Sequence, residues 1–483
     1  MSKKDKQELR QQIACEWLHE NYLQFGNLRH DVVADRLQVR CAHSLGEEAI
    51  GRLGERQELW RNLTDKDINT MVCQCVAESG VNISVTEMWT ALKSDMVPAV
   101  HPLRAWLDGL RPYTADQPDW IDFVAQQVHV KNNNAECGIN KDNLNNLCAR
   151  PTLALAKEDI SPLSQQQSVS SPLSNVGEAE ELSMLSSEQT NPLSLQDSPA
   201  DRLWRACFKK WFVAMVASWM KDEVVNHTVL VLVGRQGIYK TTWLDHLIPP
   251  ALRPYSSKLP LSGQISKDDR LRLCENGMLN IDELDAICGR EMNIMKSLLT
   301  STDINERAAY GRLKERKVRL ASFCASTNKR EFLTDITGNR RWLPFEVESI
   351  QNPFYTTLPY EMMYAQAVYL VQNDFNYWFD MDEIEVMEQH NEEFRAQENE
   401  EQLLPILFDI PAEGKGEFMT TAEISERLVT YGNIKKPMKT RQLGMLMAKK
   451  GFQKKQVFLS GTNVRGWMVY NRQIDEIKLA KNI

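Results

Sequence analysis

The chain of 483 residues is 42% hydrophobic and 25% charged, with 57 Lys and Arg against 65 Asp and Glu and a formal net charge of −8. These are the proportions of a soluble globular protein of roughly two to four domains, and the longest apolar run, near Trp211 to Trp219, is too short to span a bilayer. The charge excludes no partner, because it averages an acidic stretch from Asp380 to Glu401 with a basic one from about Lys435 to Lys455.

Ten cysteines are scattered without a Cys-x-x-Cys pair, and eight histidines show no metal-ligand spacing. That pattern suits free thiols in a reducing cytosol. The amino terminus, Met-Ser-Lys-Lys-Asp-Lys, has no apolar signal region, so a cytoplasmic location without a membrane partner is expected.

Residues 1–130 read as an α-helical N-terminal domain. Gln7 to Tyr22 has helix-forming composition, Asp67 to Glu78 repeats apolar residues at helical spacing, and Ser84 or Thr86 can cap the helix that follows. Another helix starts at His101-Pro. Across 131–200 Ser, Gln, Asn and Pro accumulate, and Pro-Leu-Ser recurs at 162–164, 172–174 and 192–194. Such a segment buries too little surface to offset its ordering entropy and is read as a flexible linker, with a docking motif as the alternative.

Leu203 to Met220 is a strongly apolar helix whose tryptophans are expected in core and lid packing, with a base-stacking platform as the alternative. It leads into an apolar run, Val229 to Val233, that breaks at Gly234-Arg235-Gln236-Gly237-Ile238-Tyr239-Lys240-Thr241-Thr242. A buried strand, a glycine-bearing turn and a helix start form the setting of a phosphate-binding loop, whose backbone N–H groups cradle phosphate. Lys240 would reach the β- and γ-phosphates of ATP and the Thr241 hydroxyl would sit on Mg²⁺. Tyr239 departs from the Gly-x-x-x-x-Gly-Lys-[Ser/Thr] pattern, which has glycine before the lysine. The competing reading is a strand–turn–helix with an incidental Lys-Thr.

Three further elements follow. Met278 to Ile281 is a short apolar strand ending in Asp282, assigned to the metal, and Glu283, assigned to orienting the attacking water. Val318 to Asn328 is another apolar strand, with Asn328 at its carboxyl end, where open α/β sheets gather ligands; loop capping is the alternative role. Arg340 and Arg341 in Thr337-Gly-Asn-Arg-Arg-Trp342 suit an arginine finger supplied by a neighbouring subunit, or else a surface ion pair. Between the first two of these, Arg312, Lys314, Arg316 and Lys317 either face a nucleic-acid backbone or lie on an ordinary solvated hairpin.

The C-terminal region reads as helix, helix, hairpin. Thr420 or Thr421 caps the first helix, Lys439 to Gly451 is the second, and Val457 to Tyr470 makes two strands around Gly-Thr-Asn. Winged helix-turn-helix modules are built this way, and Lys439, Arg441, Lys449 and Lys450 would supply phosphate contacts to DNA; a winged helix that binds only protein is the rival.

The ordered series Gly-Arg-Gln-Gly…Lys-Thr-Thr, Asn-Ile-Asp-Glu-Leu, Met-Lys-Ser-Leu-Leu-Thr followed by Glu-Arg-Ala-Ala-Tyr-Gly-Arg, Ala-Ser-Thr-Asn, and Phe-Leu-Thr-Asp-Ile-Thr-Gly-Asn-Arg-Arg-Trp resembles the virulence-associated protein E family. These are phage- and mobile-element-borne P-loop ATPases similar to superfamily 3 and poxvirus-type primase–helicases. The resemblance runs from about Leu203 to Val347. It implies an AAA+-like α/β core that assembles as a homo-hexamer and moves along single-stranded DNA, or acts at a duplex origin, during replication of a mobile element. It also implies ATP and Mg²⁺ as ligands and gives Lys240, Thr241, Asp282, Glu283, Asn328 and Arg340 or Arg341 the roles above. No primase domain is visible, so priming would fall to a separate chain. The expected domains are 1–130 (helical), 131–200 (linker), 201–350 (ATPase core), 351–405 (helical extension with the acidic stretch) and 406–483 (winged-helix-like). A nucleotide-switched DNA-binding regulator is the alternative function, and a non-hydrolysing P-loop scaffold is a third.

Overall fold

The computed structural model describes residues 3–40, 60–132, 198–259, 266–282, 284, 289–306, 315–333, 338–412, 416–459 and 461–472. Most of the expected linker, 133–197, lies outside them.

The chain begins with α1 (Lys3–Leu18), β1 (Leu28–Asp31), β2 (Arg36–Arg40), β3 (Trp60–Asn62), α2 (Asp65–Ser79), α3 (Val85–Leu92), β4 (Ala99–Val100), α4 (Pro102–Asp108), α5 (Trp120–Ala125) and β5 (Val128–Val130). Capping boxes Thr64–Asp67 and Ser84–Glu87 start α2 and α3, because each cap side chain satisfies an orphan N–H of the first turn. The region is not purely helical. A small sheet in the order β3-β2-β1-β4 accompanies α1 to α3, whose apolar faces meet in one core of Ala14, Leu18, Ile68, Met71, Met88 and Leu92. Its strands are two to five residues long, too short to show alternation in a sequence.

Residues 102–130 join the central part of the molecule rather than standing apart. Leu103, Leu107, Ile121, Val124 and Val128 share a core with the long helix α6 (Pro199–Met220), and β5 pairs antiparallel with a strand of the central sheet. In α6, Trp204, Trp211 and Trp219 are fully buried, and their indole N–H groups donate to the carbonyls of Ala125, Phe323 and Gly277. They serve the core, as expected.

After α6 come β6 (Val229–Val233), α7 (Lys240–His246), β7 (Ser256–Lys258), α8 (Lys267–Glu275), β8 (Met278–Ile281), α9 (Gly289–Thr300), β9 (Asp303–Glu306), β10 (Glu315–Val318), β11 (Ser322–Thr327) and β12 (Trp342–Ile350). The sheet order is β5-β12-β6-β11-β8-β7, parallel throughout except at β5. All five residues of β6 are buried. Leu230 and Leu232 face the core of α6, whereas Val229, Val231 and Val233 face a second core containing Leu273 of α8 and Met295 and Leu299 of α9. Helices on both faces explain why this strand is a continuous apolar run rather than an alternating one. The chain leaves β6 toward β7 at one edge, returns through β8 and β11, and places β12 on the other side of β6. That reversal opens a crevice at the carboxyl end of β6.

The strand expected over Val318–Asn328 is broken. β10 pairs with β9, and β11 starts only at Ser322. Between them the fully buried Arg319 donates to the carbonyls of Leu298, Leu299, Ala321 and Asn226. Burial pushes its guanidinium pKa down to about 9.

The remaining elements are α10 (Tyr360–Gln372), α11 (Met381–Asn391), α12 (Asn399–Leu407), β13 (Phe408–Asp409), β14 (Glu417–Met419), α13 (Thr421–Gly432), α14 (Thr440–Lys449), β15 (Gln453–Leu459) and β16 (Thr462–Asn471). A capping box Thr420–Glu423 starts α13, and Gly461 (φ +82°) sits in the turn between β15 and β16. Ile424, Leu428, Leu443, Leu446 and Trp467 form a separate small core. Among the described residues, no helix is long and apolar enough to cross a membrane.

Candidate functional site

The site begins where β6 runs out. Gly234 has φ +157°, and a Cβ there would lie 2.8 Å from the Val347 carbonyl oxygen of β12, so the strand-to-turn exit admits no side chain. Gly237 has φ +84° with open space around it. Tyr239 then adopts φ +65°, ψ +16°, the left-handed region that a bulky residue rarely enters, and stands at the N-cap of α7. The loop therefore takes, with tyrosine, the backbone conformation that glycine would take freely.

Behind it, the buried Lys240 ammonium donates to the carbonyls of Gly234 (2.7 Å) and Arg235 (2.7 Å) and to Asn328 Oδ1 (3.0 Å). Lysine's three ammonium hydrogens thus meet three acceptors from the two strand ends. One residue on, the Thr241 hydroxyl is 3.1 Å from Asp282 Oδ1 and 2.9 Å from Ser326 Oγ, which itself donates to Asp282 at 3.3 Å. Lys258, from the end of β7, places its Nζ 3.0 Å from Asp282 Oδ2. Burial alone would raise the Asp282 pKa; the bond and charge of Lys258, with the Thr241 and Ser326 hydroxyls, outweigh it and hold the carboxyl below its ordinary range. The same bond raises the pKa of Lys258.

A cleft of about 350 Å³ lies over these groups, lined by Gln236, Gly237, Tyr239, Lys240, Thr241 and Thr242 from the turn and Asp282, Ser326, Thr327 and Asn328 from the neighbouring strands. Ile238 turns inward against the core beside Gly234. Lys240, Thr241, Asp282 and Asn328, chosen from separate motifs, meet at the carboxyl ends of β6, β8 and β11. Ser326 and Lys258 join them without having been singled out. Ser326 lies in the Ala-Ser-Thr-Asn motif, one turn of alternation before Asn328, and was legible there; Lys258 has no local signal, because only the sheet order brings β7 alongside β8.

Other expected residues sit elsewhere. Glu283, Arg312 and Lys314 lie outside the described residues. Arg340 and Arg341 precede β12, and the Arg341 carbonyl accepts from Val229 N–H at the start of β6. They therefore flank the opposite end of the parallel sheet from Gly234, about 13 Å along β6, away from the cleft of their own chain. Arg316 pairs with Asp303 and Lys317 with Asp35. Lys449 pairs with Glu392 and Lys450 with Glu401, whereas Lys439 and Arg441 are exposed at the start of α14.

Any cation in this cleft would be held by oxygen atoms: the Asp282 carboxylate and the Thr241 and Ser326 hydroxyls, a donor set that fits a hard divalent ion. Among the described residues no group of three or more His, Cys, Asp and Glu forms a metal site. A Mg²⁺ here would depend on phosphate oxygens for the rest of its shell, the usual arrangement at nucleotide sites.

Residues 190–396 match the virulence-associated protein E-like domain, which bears out the resemblance carried by the motifs between Leu203 and Val347. Two solved structures superpose loosely. An apo structure of the NrS-1 C-terminal region (305–718) has a TM-score of 0.38, and the A form of that region has 0.37; each is 11% identical and covers 94% of this chain and 99% of that one. No curated protein matches the chain.

Proposed function

From the premise that residues 190–396 are a virulence-associated protein E-like domain, we propose that the protein is a P-loop ATPase of AAA+-like architecture that acts on DNA as a helicase or translocase in the replication of a phage or mobile element. The observation that carries this reading is the convergence of Lys240, Thr241, Asp282 and Asn328 on one cleft at the carboxyl ends of three parallel strands.

Phosphoryl transfer asks a protein mainly for positioning and charge stabilisation. Lys240 exchanges its carbonyl partners for the β- and γ-phosphate oxygens. Thr241, Ser326 and Asp282 would hold Mg²⁺, which when bound would supply positive charge to the phosphate oxygens. Asn328 holds the γ-phosphate or the attacking water, and Glu283 orients that water. Arg340 and Arg341, distant from their own cleft, serve a neighbouring copy in a ring. The helix–helix–hairpin of α13, α14, β15 and β16 acts as a winged helix, with Lys439 and Arg441 against the DNA backbone.

The test is ATP turnover by the full chain and by Lys240→Ala, with and without single-stranded DNA. Turnover that rises with DNA and vanishes in the variant supports the motor; turnover preserved in Lys240→Ala removes it. A second reading, a nucleotide-switched DNA-binding regulator, draws on the ion pairs that tie Arg316, Lys317, Lys449 and Lys450 to carboxylates of the same chain. It expects turnover indifferent to single strands.

A further inference from the structure

Beside the cleft lies an aromatic cluster that the phosphate chemistry leaves unused. Phe354 is 69% exposed and Tyr355 is 89% exposed, just beyond the carboxyl end of β12, while Tyr239 is 38% exposed on the cleft wall. Phe354 meets the Tyr239 ring edge-to-face (centroids 6.4 Å) and the His246 ring of α7 likewise (5.7 Å). Asn352 ties the arrangement together: its Nδ2 donates to the Tyr239 hydroxyl at 3.4 Å and its Oδ1 accepts from the Phe354 N–H at 3.0 Å. Two rings and an asparagine thus fix the orientation of a phenylalanine whose surface remains mostly open to solvent.

Leaving a phenylalanine open forgoes burial energy, and tyrosine is held in the left-handed region against its steric preference. Both features occur together, in contact, and Tyr239 is the residue just before Lys240. We infer that Phe354 and Tyr239 form the stacking platform for the nucleobase of the triphosphate held by Lys240. The inference rests on the phosphate-site reading and adds the base-recognition residues to it. Tyr239 directly precedes Lys240, lines the same cleft and touches Phe354, so the platform borders the cleft that would hold the nucleotide. Aromatic rings suit this task because every base presents a π face.

The test compares binding of ATP and of inorganic tripolyphosphate, which has the phosphates but no base, to the full chain and to Phe354→Ala and Phe354→Trp. Removing one stacked ring is expected to weaken ATP about tenfold, leave tripolyphosphate unchanged, and be rescued by tryptophan. Equal ATP affinity in Phe354→Ala, or an equal loss for both probes, overturns the platform while leaving the phosphate site in place. Failure of the unaltered chain to bind either probe overturns both.

Discussion

Tyr239 holds a positive φ at the position where the motif's letter pattern has glycine. The position demands positive φ, glycine meets that demand without strain, and tyrosine meets it at a cost. Tyr239→Gly is therefore expected to raise stability by about 1 kcal/mol, the relieved strain being partly offset by glycine's larger unfolded-state entropy. Thermal unfolding without ligand measures this, and an unchanged or lower melting temperature would show that the ring's contacts with Phe354 and Asn352 outweigh the strain. At Asp282 the local balance is electrostatic. Lys258→Ala removes the cation that lowers its pKa, so the carboxyl should titrate at higher pH in the variant. Carboxyl titration by NMR would reveal no movement if Thr241 and Ser326 alone hold it down. The meeting of Lys240, Thr241, Asp282 and Asn328 was legible in their motifs because each motif follows an apolar run; Lys258 could not be picked out, because its partner is 24 residues away on an adjacent strand.

Among the elements, the large parallel sheet was legible because β6, β8 and β11 are buried on both faces and so appear as unbroken apolar runs. The small N-terminal sheet was not, and neither was the interruption at Arg319, whose buried guanidinium is stabilised by carbonyls from α9 and from the loop before β6. A charged residue inside an apolar run gives no local hint that distant carbonyls will receive it. The packing of α6 against α11 has a similar hidden pin: Lys210 Nζ lies 2.6 and 2.8 Å from the Glu383 carboxylate oxygens, with both side chains almost fully buried. Glu383→Ala strands the ammonium and is expected to cost about 3–5 kcal/mol, whereas the double change Lys210→Met, Glu383→Leu should cost far less. Urea unfolding of the two variants decides this; equal losses would mean that shape, rather than the uncompensated charge, sets the penalty.

For the whole molecule, two partly buried histidines are expected to set the first acid limit. His390 is enclosed beside Phe345 and Phe394, with Nε2 2.7 Å from the Pro344 carbonyl, and burial lowers its pKa below 6.5 despite that bond. His101 is lowered too, first by burial and then by the charge of Arg104. Below pH 6.5 the unfolded chain takes up protons that the folded chain refuses, so the stabilisation is complete above the unfolded value and is lost as pH falls through the lowered folded one. Each histidine contributes a slope of up to about 1.4 kcal/mol per pH unit in that window. Asp119 acts lower down: burial would raise it, Lys209 and its hydrogen bonds prevail, and its contribution disappears as pH falls through its depressed pKa. Melting temperatures between pH 8 and 4 should begin to drop near pH 6.5, and His390→Gln should flatten that first decline; a decline confined to the carboxylate range would rule the histidines out.

By itself the sequence determined the α/β centre, the loop that ends β6, the helix caps at Ser84 and Thr420, and the resemblance that residues 190–396 bear out. Each of these is written in neighbouring residues, through periodicity, capping or motif spacing. Only the tertiary structure decided that β7 delivers Lys258 to Asp282, that Arg340 and Arg341 stand at the far end of the sheet, that residues 102–130 complete the central core, and that Phe354 faces Tyr239. Those relations depend on strand order and on chain segments brought together by packing, and no local pattern encodes which distant segment will arrive.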